Sequence, residues 1–417
     1  MMRVLWITNI IFPAPCKELG LPSPVYGGWM LSSLEAIRKL HPEVEFAVAT
    51  VYRAKEMKTI HTDGVTYYLL PARIDNTRYD KSLEAYWMKV NETFRPDVVH
   101  IHGTEYAHGL AFIRACGADN VCVSIQGLVS VIARYYYAGL SFWDILKNIT
   151  VRDVIRWDTI FQQKRKFEKR GELEKEYLKT VPHIIGRTSW DKAHLWAINP
   201  DAEYHFCNET LRPVFYQRKW EYDKCDKHTI FLSQAGYPIK GLHKVLEAMP
   251  LVLRHFPDAR LRVAGQSIVD KPFYRMSGYG KYIRLLINKL GLNDKITFLG
   301  MLSEEEMCEQ YLRANVFICP SSIENSPNSL GEAQILGVPH LAANVGGVPD
   351  MMKGNEDCLY RFEEVEMLAE KICVSFEKRI NNDDSLFQLS RNRHDQISNI
   401  STLVEIYRIV CVDEKYI

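Results

Sequence analysis

The chain has 417 residues, of which 47% are hydrophobic and 25% charged, and its formal net charge is +1. The near-neutral charge excludes a protein that coats nucleic acid or another polyanion, and the apolar share excludes a disordered chain. A single core rarely organises so many residues, so two domains are expected. The ten cysteines form no C-x-x-C pair and are interpreted as reduced core residues of a cytoplasmic protein.

The chain begins with MMRVLWITNIIFPAP, an apolar run that is interrupted by Asn9 and by prolines. This run is too short for a membrane span and lacks a small-residue cleavage site, so it is interpreted as a first buried strand. Further β-rich runs then alternate with helical patterns: VEFAVAT, DVVHIHG, VCVSIQG and HIIGRTS. Such alternation predicts a parallel sheet covered by helices on both faces, an α/β doubly wound domain.

A polar, irregular stretch near residues 210–228 separates this first set from a second. The same alternation then resumes with TIFLSQAG, ARLRVAGQ, KITFLG, NVFICPS and PHLAANVGG. A second doubly wound domain is therefore predicted. Sheets of this kind bind ligands at the carboxyl ends of their strands, so two facing domains would leave a cleft between both sets of strand ends.

Candidate ligand groups fall at these strand ends in both halves. Gly27 and Gly28 precede a helical pattern, where absent side chains and free N–H groups suit an anion. Lys240 comes just before another helix and could neutralise a phosphate. The alternative readings are a purely structural Gly-Gly turn and a solvated surface lysine.

The stretch SSIENSPNSLGEAQILG follows the predicted strand NVFICP. Asn328 is a predicted N-cap and Gly337 a predicted helix stop, which leaves Glu324 in the loop and Glu332 in the first turn. Both carboxylates would then face the same side and accept hydroxyl hydrogen bonds from a sugar and a ribose. For Glu332 the alternative is an acid stabilised by the helix dipole.

From Lys240 to Asp350 the chain resembles the family 4 retaining glycosyltransferases, which have the two-domain GT-B fold. The resemblance lies in the order IKG, VAGQ, ITFLG, PSSIENSPNSLGEAQILGVP and NVGGVPD, in which Glu324 and Glu332 match an E-x7-E motif. It implies an acceptor domain over residues 1–215, a nucleotide-sugar donor domain over 222–385, and a C-terminal helix from about 386–417 that crosses back to the first domain.

The resemblance also implies roles for individual residues. Glu324 would hold donor-sugar hydroxyls, Glu332 the ribose, and Lys240 the diphosphate. The remaining donor-binding positions would be Gly27, Gly28, Asn328, Ser329 and Leu330. Fixed dipoles and a lysine stabilise the charge that develops on the leaving diphosphate. No cofactor and no metal is implied.

Two positions depart from the family pattern. Gln126 stands where many relatives have a histidine; as a catalytic residue it can hydrogen-bond a sugar hydroxyl but cannot carry a proton. Ala235 stands where relatives commonly have an arginine, so Lys240 would act alone or with another cation, for which Arg187 is a candidate. Such departures would also suit a non-catalytic sugar-binding subunit.

The run HIHGTEYAH offers an alternative chemistry. His100, His102, Glu105 and His108 are of metal-ligand type, and a strand would place the first two on one face. A metal-dependent hydrolase is the corresponding hypothesis. The resemblance implies instead that His102 lies at a strand end on the acceptor side, without a metal.

Residues 133–177 interleave aromatic and basic side chains. That mixture favours helices lying at a membrane interface, here the inner leaflet, and the first domain is where the resemblance places the acceptor. Tyr135 and Tyr136 are therefore predicted on the acceptor side, and a basic cluster from Lys164 to Arg170 is predicted to meet anionic lipid. The alternative is an ordinary helical insertion with solvated charges.

These observations together predict a metal-independent hexosyltransferase or a related glycosyltransferase. It would move a sugar from a UDP or GDP sugar to a glycan or lipid-linked acceptor in polysaccharide biosynthesis, in the cytoplasm or peripherally at the membrane. A nucleotide-sugar epimerase of similar shape is the alternative enzyme.

Overall fold

The computed structural model describes residues 2–22, 27–72, 77–378 and 384–413. The chain divides into two compact units. Unit 1 comprises Met1–Val131, Phe167–Thr210 and Asp395–Ile417, and unit 2 comprises Ile132–Lys166 and Leu211–His394. Each unit is built on one mainly parallel sheet, which confirms the prediction of two α/β domains.

Unit 1 is built on an eight-stranded sheet with the order β3-β4-β2-β1-β5-β6-β7-β8. The strands are β1 (Met2–Ile7), β2 (Val44–Tyr52), β3 (Lys58–Thr62), β4 (Val65–Pro71), β5 (Val98–His102), β6 (Val121–Ser124), β7 (His183–Gly186) and β8 (Glu203–Phe206). All neighbours pair in parallel except β3 and β4, which form an antiparallel hairpin. This hairpin was not predicted from the sequence.

Helices cover both faces of this sheet. They are α1 (Pro13–Leu19), α2 (Gly28–Leu40), α3 (Leu83–Phe94), α4 (His108–Cys116), α5 (Val129–Ile132), the part of α8 (Ile160–Thr180) from Phe167 onward, α9 (Ser189–Ile198) and α18 (Gln396–Asp413). One core cluster lies on each face of the sheet, and β1 shows the alternation: Leu5 and Ile7 belong to one cluster, Val4 and Trp6 to the other. The side chains of β1 therefore bury both faces, as parallel sheets require.

Unit 2 is built on a six-stranded parallel sheet with the order β11-β10-β9-β12-β13-β14. The strands are β9 (Thr229–Leu232), β10 (Arg260–Val263), β11 (Ile296–Phe298), β12 (Val316–Cys319), β13 (His340–Ala343) and β14 (Leu359–Tyr360). The helices are α6 (Phe142–Lys147), α7 (Val151–Ile155), α10 (Pro213–Tyr216), α11 (Leu242–His255), α12 (Gly278–Lys289), α13 (Glu304–Arg313), α14 (Asn328–Leu336), α15 (Val348–Met351), α16 (Val365–Glu377) and α17 (Asp384–Arg393). Strands β9, β12 and β13 are neighbours, so the loops at their carboxyl ends meet.

The segment 132–166 packs with unit 2, which differs from the predicted continuous domain 1–215. Specific hydrogen bonds explain this placement. Thr150 Oγ1 donates to the carbonyl of Met276 at 2.9 Å, and Asp153 Oδ2 accepts from the N–H of Gly278 at 2.7 Å. Because Asp153 is buried, its partner in α12 fixes the position of α7.

The C-terminal region divides between the two units. Helix α17 packs on α14 in unit 2, whereas α18 returns to unit 1 and packs on α2. In α18, the Tyr407 hydroxyl accepts from Trp6 Nε1 at 2.9 Å within the core. The predicted helix that returns to the first domain is therefore present, and it begins near residue 396 instead of 386.

Candidate functional site

Lys240 and Glu324 meet at the carboxyl ends of two neighbouring strands of unit 2. Lys240 follows β9 and Glu324 follows β12, and Lys240 Nζ lies 2.6 Å from Glu324 Oε1. Ser321 Oγ donates to the same carboxylate oxygen at 2.7 Å. Both charged side chains keep some exposure, 13% for Lys240 and 16% for Glu324, so a ligand can reach them.

Two glycines allow the loops to approach this closely. Gly241 has φ +70°, and a Cβ there would strike the backbone carbonyl of Pro320. Gly346, in the loop after β13, has φ +54°, and a Cβ there would strike the carbonyl of Glu324. That carbonyl accepts from the N–H of Gly347 at 3.0 Å. Three strand-end loops therefore hold Glu324 in place through backbone contacts that no other residue type would permit.

Lys240 is held in its charged form. Burial by itself would lower the pKa of Lys240, but the charge and hydrogen bond of Glu324, together with Tyr237, raise the lysine pKa above its usual range. The lysine is thus a permanent cation with three N–H donors. It can bind a phosphate oxygen while it keeps its carboxylate partner.

Glu332 lies one residue beyond the first turn of α14, since the helix begins at Asn328 with Pro327 in the N-cap position that was predicted for Asn328. Arg212 Nε donates to Glu332 Oε1 at 2.8 Å, and the glutamate is buried. Burial raises the pKa of Glu332, and the Arg212 charge opposes that increase. Arg212 was not among the predicted site residues, because it stands 120 positions earlier in a stretch that was interpreted as a linker.

The remaining donor-site predictions fall on two helix starts. Asn328 and Ser329 are half-buried and Leu330 is fully buried at the start of α14, which has no side-chain N-cap. In unit 1, Gly27 has φ +80° and stands directly before α2, whose first residue is Gly28. Residues 23–26 of the same motif lie outside the described part of the chain.

Unit 1 has its own polar cluster at the carboxyl ends of β6, β7 and β8. Gln126 Nε2 donates to Glu209 Oε1 at 2.6 Å, and Arg187 Nη1 lies 2.6 Å from Glu209 Oε2. Arg187 Nη2 also donates to the Gln126 carbonyl at 3.2 Å. The predicted residue Gln126 and the candidate cation Arg187 are therefore neighbours. Glu209, which joins them, was missed because it stands in the irregular stretch CNETLRP.

The histidines of HIHGTEYAH lie in the interior of unit 1. His100 Nδ1 is 2.7 Å from the Tyr407 hydroxyl, its Nε2 is 2.6 Å from Ser124 Oγ, and His108 Nε2 is 3.0 Å from the Thr8 carbonyl. In the described part of the chain, the ring nitrogens of His102 have no hydrogen-bond partner. Burial lowers the pKa of His102 to about 3, so the ring is neutral at physiological pH.

His102 borders a cavity of about 30 Å³ inside unit 1. His100, Ser33, Asn208, Glu209 and Thr210 also line the cavity. A space of this size holds about one water molecule, which would supply a partner for the imidazole. This environment supports a neutral hydrogen-bonding role for His102.

Tyr135 and Tyr136 belong to unit 2, not to the domain in which they were predicted. Tyr135 is 47% exposed, whereas Tyr136 is buried and its hydroxyl donates to Gln163 Oε1 at 2.6 Å. Tyr136 therefore has a packing role, and of the two only Tyr135 is accessible.

A dense group of exposed apolar side chains follows these tyrosines. We call it the 142–157 surface; it consists of Phe142, Trp143, Leu146, Val151, Val154, Ile155 and Trp157. Trp143 is 62% exposed, Ile155 73% and Trp157 74%. Seven large apolar residues exposed within sixteen positions exceed the scattered exposure that is usual for a soluble surface. Of the described helices, none is both long and apolar enough to cross a membrane.

Residues 216–388 match the sequence model of the family described as Glycosyl transferases group 1. An uncharacterized glycosyltransferase of Methanocaldococcus jannaschii is 29% identical over 129 residues, which are 31% of this chain and 30% of that protein. The chain thus matches about a third of that relative's length.

Solved structures match over nearly the whole chain. A sucrose-phosphate synthase of Thermosynechococcus elongatus has a TM-score of 0.64 at 15% identity, covering 100% of this chain and 98% of that one. HepE of Anabaena, in complex with UDP-glucose, has a TM-score of 0.62 at 14% identity, covering 97% and 99%. At such identities the likeness establishes the fold. Residues 216–388 are therefore similar to the group 1 glycosyl transferases, and the chain as a whole has the two-domain GT-B fold.

Proposed function

We propose that the protein is a retaining, metal-independent glycosyltransferase that moves a sugar from a UDP or GDP sugar to a glycan or lipid-linked acceptor in polysaccharide biosynthesis. The observation that carries this proposal is the Lys240–Glu324 pair, 2.6 Å apart at neighbouring strand ends within the family-matched region. HepE, a structural relative, has UDP-glucose bound in its crystal structure. That complex supports a nucleotide sugar as the donor.

Each acidic residue has acceptor capacity left for a ligand. A carboxylate has about four lone-pair positions. Glu324 uses Oε1 for Lys240 and Ser321, and Glu332 uses Oε1 for Arg212. The second oxygen of Glu324 would accept sugar hydroxyls, and that of Glu332 would accept ribose hydroxyls. The existing ion pairs fix the orientation of both carboxylates before the donor arrives.

Lys240 would act on the leaving group. When the glycosidic bond to the diphosphate breaks, negative charge grows on the diphosphate oxygens, and a fixed cation stabilises that state more than the ground state. Because Glu324 keeps Lys240 protonated, this contribution is constant across the physiological pH range. The backbone N–H groups at the start of α14, near Asn328, would also stabilise the negative charge on the diphosphate.

The donor reaction can be tested without knowledge of the acceptor. We would incubate the chain with uridine, guanosine and adenosine diphosphate sugars and measure the released nucleoside diphosphate. The wild type should release it from one donor, and Glu324→Ala should lower the rate about 100-fold or more. The matched control is Glu309→Gln, because Glu309 is a half-exposed ion-pair partner of Arg218 in the same unit.

The products also separate the rival functions. Conversion of the donor sugar without release of nucleoside diphosphate would identify an epimerase. Donor binding without turnover would identify a sugar-binding subunit. Either result, or full activity of Glu324→Ala, would contradict the proposal.

The acceptor side of the proposal includes a membrane surface. The 142–157 surface carries two exposed tryptophans together with the basic residues Lys147 and Arg156, a composition that suits the lipid headgroup region. The basic cluster predicted to meet lipid is less available, because Lys166 pairs with Asp158 and Arg170 donates to the Glu105 carbonyl. The tryptophans are therefore the better test positions.

Sedimentation with anionic liposomes tests this part. Trp143→Ser combined with Trp157→Ser should remove most of the bound protein, because each tryptophan inserts apolar area into the interface. Trp196→Ser is the matched control, since Trp196 is 70% exposed on α9 of unit 1. Equal binding of the double variant and the control would contradict the membrane proposal and leave the donor chemistry unaffected.

A further inference from the structure

A histidine and carboxylate cluster joins the last two strands of the unit 1 sheet, at the ends where the strands begin. His183 opens β7, Glu203 opens β8, and His205 stands two positions further along β8. His183 is paired with Glu203 in the parallel register, so the three side chains point to the same face of the sheet. These are the amino ends of the strands, whereas Gln126, Arg187 and Glu209 lie at the carboxyl ends.

The ligand atoms have the separations that a tetrahedral metal ion needs. His183 Nδ1 lies 3.1 Å from His205 Nε2 and 3.5 Å from Glu203 Oε2, and each of the three residues offers a ligand atom within 4.8 Å of those of the other two. In a tetrahedral zinc site with bonds of about 2.0–2.1 Å, neighbouring ligand atoms are about 3.3 Å apart. An ion can therefore bind after small side-chain movements.

Burial and access also fit a bound ion. His183 and His205 are buried, while the Glu203 side chain is 53% exposed and gives an ion a route from solvent. Two imidazoles and one carboxylate are borderline ligands that select zinc over magnesium or calcium. With three protein ligands, the fourth position is left to water.

We propose that His183, Glu203 and His205 form a zinc-binding site that clamps the edge strand β8 to β7. The Arg187–Glu209 pair already joins the carboxyl ends of these strands, and the metal would join their amino ends. Because β8 is an edge strand with a neighbour on one side, a clamp at its free end would add most to its stability. The proposal does not depend on glycosyl transfer.

Zinc titration of the chelator-treated full chain tests the site. The wild type should bind one Zn²⁺ by calorimetry with a rise in the unfolding midpoint, and cobalt should give the visible absorption of a four-coordinate ion. His205→Asn should abolish both signals. Glu203→Gln should weaken binding about tenfold or more, and this exposed position keeps the test valid if His205→Asn does not fold.

The matched control is His228→Asn, which removes a histidine from the His228–Asp258 pair in unit 2 and should leave zinc binding unchanged. Failure of the wild type to bind zinc at micromolar concentration would overturn the proposal. So would zinc affinity that is unaltered by Glu203→Gln and His205→Asn.

Discussion

The two units each carry an ion-pair cluster at the carboxyl ends of their strands, but the sequence encodes the clusters differently. In unit 2, Lys240 and Glu324 stand in strand-to-helix turns rich in glycine, proline and serine that belong to the family-matched stretch. In unit 1, Gln126, Arg187 and Glu209 come from three unremarkable loops spread over 83 positions. A site whose residues lie in turns with a recognisable sequence motif can be predicted from one sequence. A site whose residues lie in loops without such a motif becomes visible only in the structure.

The largest loss of unfolding free energy is expected when certain glycines are replaced by alanine. The two units differ in which atoms the added Cβ would contact. Gly241→Ala in unit 2 places the Cβ against the Pro320 backbone carbonyl at φ +70°, which should cost about 2 to 5 kcal/mol of unfolding free energy. Gly27→Ala in unit 1, at φ +80°, meets only the flexible ends of the Ile10 and Met30 side chains and should cost about 1 to 2 kcal/mol.

Calorimetry of both variants measures this difference. Gly20→Ala is the control for backbone strain alone, because Gly20 has φ +64° and an added Cβ would have no neighbour within 4 Å. Equal losses for Gly241→Ala and Gly20→Ala would mean that the loops around Lys240 and Glu324 are not held by close backbone packing.

The next largest loss of unfolding free energy is expected when the Arg187–Glu209 or the Lys240–Glu324 ion pair is broken. The side chains of Arg187 and Glu209 are 5% and 10% exposed, against 13% and 16% for Lys240 and Glu324. Glu209→Gln leaves the more deeply buried cation without its partner and should cost about 3 kcal/mol, while Glu324→Gln should cost less. Calorimetric unfolding of the two single variants, with Glu309→Gln as an exposed reference, measures which substitution lowers the unfolding free energy more. A greater loss for Glu324→Gln than for Glu209→Gln would contradict this prediction.

The fold and the site were predicted from the sequence where the signal is local, and were missed where it depends on residues far apart in the chain. The strands of the second half and the returning helix were predicted because buried β-rich runs and helical spacing are local signals. The β3–β4 hairpin was missed although Asp63 and Gly64, both at positive φ, form a turn type that favours this dipeptide. Arg212 and Glu209 were missed because a polar residue in an irregular stretch gives no signal of its distant partner.

The sequence also contains no indication that residues 132–166 pack with unit 2. Whether a segment packs on one sheet or the other depends on buried contacts such as Asp153 with Gly278, which are 125 positions apart. A composition rich in aromatic residues indicates a surface or a core, but it does not say which domain receives it.

The last effect, small near neutral pH, is a pH dependence that distinguishes the interior of unit 1. Burial lowers the pKa of His102 to about 3, so the unfolded chain binds a proton below pH 6.5 that the folded chain does not. His102 therefore lowers the unfolding free energy as pH falls from 6.5 towards about 3, by about 1.4 kcal/mol for each pH unit.

His102→Leu removes this contribution. Relative to the wild type, the variant should gain unfolding free energy as the pH is lowered through that range and show a constant difference above pH 7. Urea unfolding at a series of pH values measures the difference. A difference that does not change with pH would show that His102 takes up a proton in the folded chain as readily as in the unfolded chain.

The central claim is that Glu324 and Glu332 bind the donor sugar and the ribose of one nucleotide sugar. The most direct test is to measure by calorimetry the binding of a nucleoside diphosphate and of the matching nucleotide sugar. Glu332→Gln should weaken both ligands, because both contain the ribose. Glu324→Gln should weaken the nucleotide sugar about tenfold or more and leave the nucleoside diphosphate nearly unchanged. Equal binding of both ligands by the wild type and by both variants would contradict the account.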